Sequence, residues 1–336
     1  RHVAQRLQQA VGPRRGGFLA ALVLGGAQVQ LPEDLRQAFR VAGLSHALAA
    51  SGFHLSVLLG SVLMVVRRWP PCLRLPLAGM ALLLFVCLAG VQPSVVRAVL
   101  MAAIALLIRE SGHHSRPFGV LVMTLSGMLL FCPSWARSIG FQLSAAATAG
   151  LILTAPRLEQ AVQGCLPDRS HGVAAALSIP VAALLWTLPL QLLHFGAMPL
   201  YALFANLLVA PLLAPLTLMA MLSALLVLFC PLSVLPVVLW PVQQLAGLVM
   251  AIATWISHWP GAQVLTGRPQ VWVVALLVVG ILPWLLKSPA RSRCWALLPM
   301  ATALLAQALV QLSDGLVSVE HFGRHWLLAR HRGRAA

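Results

Sequence analysis

Four stretches of this chain set polar side chains into otherwise apolar sequence, and any chemistry it performs must start there. The first, residues 43–60, reads GLSHALAASGFHLSVLLG and carries His46, Ser51, Gly52, His54 and Ser56. The second, 90–101, reads GVQPSVVRAVLM and places Gln92, Ser94 and Arg97 just around Pro93. The third, 140–150, reads GFQLSAAATAG, with Gln142, Ser144 and Thr148 among alanines. The fourth, 188–215, holds Pro189, Gln191, His194, Asn206 and Pro211. Ionisable and amide groups are costly at membrane depth and tend to mark pathways, proton relays or ligand contacts.

Spacing narrows the roles. Ser51 and His54 are three apart, as are Ser94 and Arg97, and Arg97 and Met101 are four apart, so each pair shares a helix face. Gly52 permits close helix approach. His46 and His54 are eight apart, about 12 Å of helical rise, which is too far for one metal ion. No metal site is expected, and a histidine hydrogen-bonded between helices is the plain alternative. Arg97 reads in two ways: a phosphate contact inside a pore, or a side chain snorkelling to a nearby surface. The 140–150 stretch reads as a tight helix contact with a polar stripe, and Asn206 as an interhelical hydrogen-bonding amide.

The elements that position these residues follow from composition. Hydrophobic residues make up 60% and charged residues 9% of the 336, with mean hydropathy +0.89. A soluble domain carries roughly 25% charged residues. Runs such as 81–88 and 271–286 are apolar on every face, unlike the single stripe of a soluble helix. The expected fold is all-α: a polytopic transmembrane bundle of about ten spans, near 44–66, 73–90, 92–109, 117–132, 136–155, 172–195, 199–229, 233–257, 270–286 and 293–312. Pro180, Pro189, Pro199, Pro211, Pro215 and Pro241 predict kinked or broken helices in the second half. The 199–229 stretch, long for one crossing, reads as broken or re-entrant, or else as a kinked helix.

Three regions are expected. Residues 1–43 alternate arginines and carboxylates with leucines and read as an amphipathic, interfacial segment. Residues 44–312 form the membrane domain. From 313 to 336 the alternation at Val317, Val319, Trp326 and Leu328 predicts strands opening a truncated soluble extracytoplasmic domain. The chain opens on Arg1 and reads as a piece of a longer protein.

Charge is the remaining constraint. There are 23 basic against 7 acidic residues, a net of +16, and Lys287 is the single lysine. Part of this excess sets topology, and the rest suits an anionic partner, phospholipid or nucleic acid. Basic loops after alternate spans point to the cytoplasm, which leaves two basic ends outside. Either the span count is off by one, or the ends belong to translocated domains. The six cysteines form no C-x-x-C pair. No P-loop, G-x-S-x-G or H-E-x-x-H occurs, so the chain is expected to be no enzyme, to hold no cofactor, and to rely on a separate ATP-driven motor.

The same four stretches carry a resemblance. FRVAGLSHALAASGFHLSVLLG, PSVVRAVLMA, GFQLSAAATAGLI and LPLQLLHFGAMPLYALFANLLVAPLLAP stand in the order found in the ComEC family of bacterial competence proteins, across most of residues 35–290. The resemblance implies a multi-pass channel of the bacterial inner membrane. It would pass single-stranded DNA during natural transformation, with a DNA receptor and motor as partners and membrane lipid around it; homodimerisation is left open. Family members often add an OB-type and a metallo-β-lactamase-like domain. No H-x-H-x-D-H run is present, so no nuclease activity is implied for this stretch, and Ala50 stands where the family usually has a bulkier apolar residue. The implied path residues are His46, Ser51, Gly52, His54, Gln92, Ser94, Arg97, Gln142, Ser144, Gln191 and Asn206. A rival from the residues alone is a transporter or flippase for an anionic or lipid-linked small molecule; a third is a non-transporting membrane scaffold.

Overall fold

The computed structural model describes residues 2–26, 28–164, 171–232 and 234–265, scattered positions between 272 and 305, and strand backbone within 316–335. Its helices run α1 His2–Val11, α2 Pro13–Leu24, α3 Glu33–Val41, α4 Ser45–Leu48, α5 Gly52–Val65, α6 Pro71–Ala89, α7 Pro93–Glu110, α8 Pro117–Phe131, α9 Ile139–Leu153, α10 Ala155–Gln163, α11 His171–Phe195, α12 Ala202–Phe229, α13 Leu235–Val238 and α14 Trp240–Ser257. A 3₁₀ turn, Pro133–Arg137, joins α8 to α9. Proline stands at the first helical position of α2, α6, α7 and α8, where its fixed φ starts a helix and its missing N–H costs nothing. Gly90 closes α6 at φ 80, a left-handed conformation that glycine adopts without a Cβ clash.

The fold is helical, as composition requires. Three helices are long and apolar enough to cross a membrane: α6, α11 from Gly172, and α12. The pair α9 and α10, bent by 43°, makes a fourth if taken as one span. The expected count of ten spans is not confirmed among the described residues. The reason is local. The first expected span leaves helical geometry between α4 and α5, where Ala49 and Ser51 are extended. What remains is α5, 14 residues or about 21 Å of rise, short of a roughly 30 Å hydrocarbon layer. The expected spans 270–286 and 293–312 lie mostly outside the described residues.

The breaks also fall elsewhere. α12 is continuous for 28 residues with Pro211 and Pro215 inside it, because its buried face, Ala205, Val209, Leu213, Leu216 and Ala220, holds it against the core along its length. The bend comes instead at Thr154 in the first half.

The core gathers around α2. Every residue from Gly16 to Leu24 is buried, so the apolar run Phe18–Leu24 lies inside the bundle, against α1, α12 and α14. Gly16 makes this fit: a Cβ there would meet the Leu7 carbonyl and sit 2.7 Å from Gln8 Cα. α3 is amphipathic, with Leu35, Ala38 and Phe39 inward, and Phe39 meets Phe18 with ring centroids 5.3 Å apart. Its carboxylates Glu33 and Asp34 open the helix and Arg40 closes it, the arrangement that favours the helix dipole. Arg6 donates from Nη2 to the Cys230 carbonyl at 2.9 Å, satisfying an orphan oxygen at the end of α12.

Two small sheets accompany the helices. β1 Ala197–Pro199 and β2 Gln263–Leu265 pair antiparallel, Met198 opposite Val264, and tie the α11–α12 link to the segment after α14; nothing in the alternation of those residues announces them. Where the 313–336 alternation predicts strands, the backbone forms β3 Leu316–His321, β4 Arg324–His331 and β5 Arg334–Ala335, an antiparallel set.

Candidate polar site between α5, α7 and α9

The break before α5 creates its capping group. Ser51 is the N-cap: its side chain accepts from the His54 backbone N–H while its own N–H donates to the His54 ring, a capping box with histidine in the usual place of glutamate. The Ser51 N–H reaches His54 Nδ1 at 3.3 Å and the Ser51 hydroxyl lies 2.9 Å from the same atom. A backbone N–H only donates, so Nδ1 is an acceptor and the neutral ring carries its proton on Nε2. That Nε2 is buried without a partner among the described residues.

Gly52 then lets α7 approach. The position its Cβ would occupy lies 3.5 Å from both Ala98 Cβ and Arg97 Nη2. Ser94 Oγ points to the Ala50 carbonyl at 3.5 Å, and Gln92, the residue before α7, donates to Ala89 O at 3.4 Å. Arg97 itself is 6% exposed. Its Nε donates to Ser144 Oγ of α9 at 2.8 Å, and its Nη1 lies 3.4 Å from Met101 Sδ.

All the groups holding this cation are neutral. Of the described carboxylates, Glu33, Asp34 and Glu110 pair with Arg36, Arg14 and Arg74, and none pairs with Arg97. Arg97 is also the sole buried arginine among the described residues. A buried charge normally has a counter-ion. Here the guanidinium keeps unused N–H groups beside the first turn of α5, an arrangement suited to an anionic oxygen.

Two residues before Ser144, on another face, α9 makes a second contact. Gln142 Nε2 donates to Ala136 O at 2.8 Å, and its Oε1 accepts from His194 Nε2 of α11 at 2.8 Å. Thr154, at the bend, accepts from Trp186 Nε1 at 2.8 Å. The sequence-chosen residues thus separate. Ser51, Gly52, Ser94, Arg97 and Ser144 meet at one seam, with Gln92 and His54 at its edge. Gln142 serves the α9–α11 contact. Gln191 donates to Thr187 Oγ1 within α11 at 2.9 Å, Asn206 donates to Ala202 O within α12 at 2.8 Å, and His46 is exposed on α4. His194 stood in the fourth stretch but was not singled out, and its partner on α9 has no signal in spacing. Thr154 and Trp186 carry none at all, since a polar contact across 32 residues follows no local period.

The chain belongs to the competence protein family, whose model matches residues 22–291. It is 28% identical over 215 residues to ComE operon protein 3 of Bacillus subtilis, covering 63% of this chain and 26% of that protein. It is 25% identical over 298 residues to the uncharacterized protein YcaI of Escherichia coli, covering 83% of this chain and 37% of that one. The chain therefore spans about a quarter to just over a third of these curated relatives. No solved structure matches it. Family and apolar helices together make this a membrane protein.

Proposed function

We propose that this chain is the membrane part of a channel that carries single-stranded DNA across the bacterial inner membrane during transformation. The observation that carries the reading is Arg97, buried among neutral partners at the N-terminus of α5. A phosphodiester is the missing counter-charge. A strand in transit needs a site that binds each phosphate and releases it, and one cation backed by hydroxyls does so more weakly than a cluster. The shorter helices α5, α7, α8 and α14 complete a multi-pass bundle around the three longer ones. Any hydrolytic step and the driving force belong to other domains or proteins, an ATP-driven motor and a DNA receptor.

The same cation fits a flippase for an anionic or lipid-linked small molecule. Import of end-labelled DNA into a strain deleted for the gene separates the two. We expect protected intracellular label to vanish and to return with the full-length gene. Label that persists in the deletion strain refutes the channel, and unchanged import with altered lipid asymmetry favours the flippase.

A further inference from the structure

We propose that the cavity between α2, α3 and α14 is a binding site for the headgroup of an anionic glycerophospholipid. The site is separate from the Arg97 seam and does not depend on the DNA reading. The cavity measures about 330 Å³ and is lined by Arg14, Arg15, Leu35, Gly247, Met250, Ala251 and Thr254. Its lining mixes two kinds of chemistry. Two guanidinium groups stand beside aliphatic and thioether carbon.

The two arginines have different tasks. Arg14 is held by Asp34 of α3, so its charge is largely answered. Arg15 has no carboxylate among the described residues, and Gly247 gives it room: the Nη2, Cζ and Nε atoms lie 3.6, 3.7 and 3.7 Å from where a Cβ of residue 247 would be. The guanidinium lies across α14 with its N–H groups uncommitted. An uncompensated planar cation at the mouth of an open hollow suits a phosphate, which it meets in fork geometry. Thr254 donates its hydroxyl to carbonyls of its own helix, Met250 and Ala251, each at 2.9 Å. Its oxygen is left as an acceptor, which suits the hydroxyl of a glycerol headgroup.

Position argues for lipid rather than nucleic acid. Arg14 and Arg15 open a helix whose next nine residues are buried, and Glu33, Asp34, Gln37 and Arg40 are exposed on α3 beside them. This polar band marks the edge of the apolar bundle. Trp255, next to Thr254, meets Trp259 at 4.9 Å, and Trp259 also meets Tyr201 and Phe204 at 5.0 and 5.4 Å. Such aromatic clusters sit at headgroup depth. Ala251, exposed on α14 between Gly247 and Thr254, would meet the glycerol carbons.

The test uses the full chain purified in neutral detergent, with binding followed by native mass spectrometry and by the thermal midpoint. We expect phosphatidylglycerol to bind and to raise the midpoint while phosphatidylcholine does neither. Arg15→Gln and Gly247→Leu should each weaken phosphatidylglycerol binding about tenfold or more, the effect of losing one charge-assisted hydrogen bond. Arg40→Gln, which removes an equal charge from the exposed band, should leave it unchanged. Arg15 is exposed, so its substitution tests the site without disturbing the core. Equal binding by wild type and Arg15→Gln overturns the proposal. So does stabilisation by inorganic phosphate to the same extent, which marks a free-anion site, or by oligothymidylate in place of the lipid, which marks a nucleic-acid site.

Discussion

Replacing Arg97 by methionine should cut DNA uptake sharply while leaving the fold at least as stable. The two effects have one cause. A guanidinium at membrane depth costs about 2.5–3.5 kcal/mol on insertion scales, and Arg97 offsets that cost with one hydroxyl and one sulfur contact rather than a carboxylate. Methionine fills similar volume, packs well in irregular space and removes the charge. Uptake should fall about tenfold to a hundredfold, the range for one charge-assisted hydrogen bond to a phosphate. Arg68→Ala, at an exposed position, should stay near wild type. Transformation frequency and the thermal midpoint of the purified proteins read the two effects separately. Equal losses at 97 and 68, or unfolding of Arg97→Met, would show that Arg97 serves structure and not passage.

The largest stability effect should come from Gly150→Val. A Cβ at Gly150 would lie 2.6 Å from Trp186 Cδ1, 2.7 Å from Trp186 Cγ and 2.8 Å from the Ala182 carbonyl. The indole is tied to Thr154 and the carbonyl is backbone, so neither can retreat freely. Overpacking of this kind costs roughly 1–3 kcal/mol for modest insertions, and a branched side chain should reach or pass the upper end. Gly150→Ala should fall between. Gly127→Ala is the contrast: nothing lies within 4 Å of that position, so the alanine should stabilise α8 by up to about 1 kcal/mol. Thermal unfolding of the three variants checks the order. Because α9 also carries Ser144, Gly150→Val should disturb the Arg97 contact, and adding Trp186→Ala should restore part of the loss.

Helices, their apolar faces and the residues of the seam were legible in the sequence, because they rest on composition and on spacings of three and four. Ser51 with His54, and Ser94 with Arg97, are local relations that a helix period exposes. The break in the first expected span was not legible, because it turns on Ala49 and Ser51 adopting extended backbone inside an apolar run, where hydropathy does not register a break. For α12 the sequence left two readings, a break or a kinked helix at Pro211 and Pro215, and packing along Ala205, Val209 and Leu213 keeps the helix continuous. Long-range pairings such as Arg97 with Ser144 and Gln142 with His194 join residues 47 and 52 apart, and no period relates them. Gln191 and Asn206 have the right chemistry, yet each hydrogen-bonds within its own helix.

Passage of the strand past the α5–α7–α9 seam is open to direct capture. A photo-crosslinking amino acid placed at Ser94 or Ser144 in the full-length protein, irradiated while cells import end-labelled DNA, should attach to the label. The same probe at Leu83 or Leu130, which are 64% and 82% exposed on the outer faces of α6 and α8, should not. Label captured equally at all four positions, or at the outer two alone, would contradict a route beside Arg97.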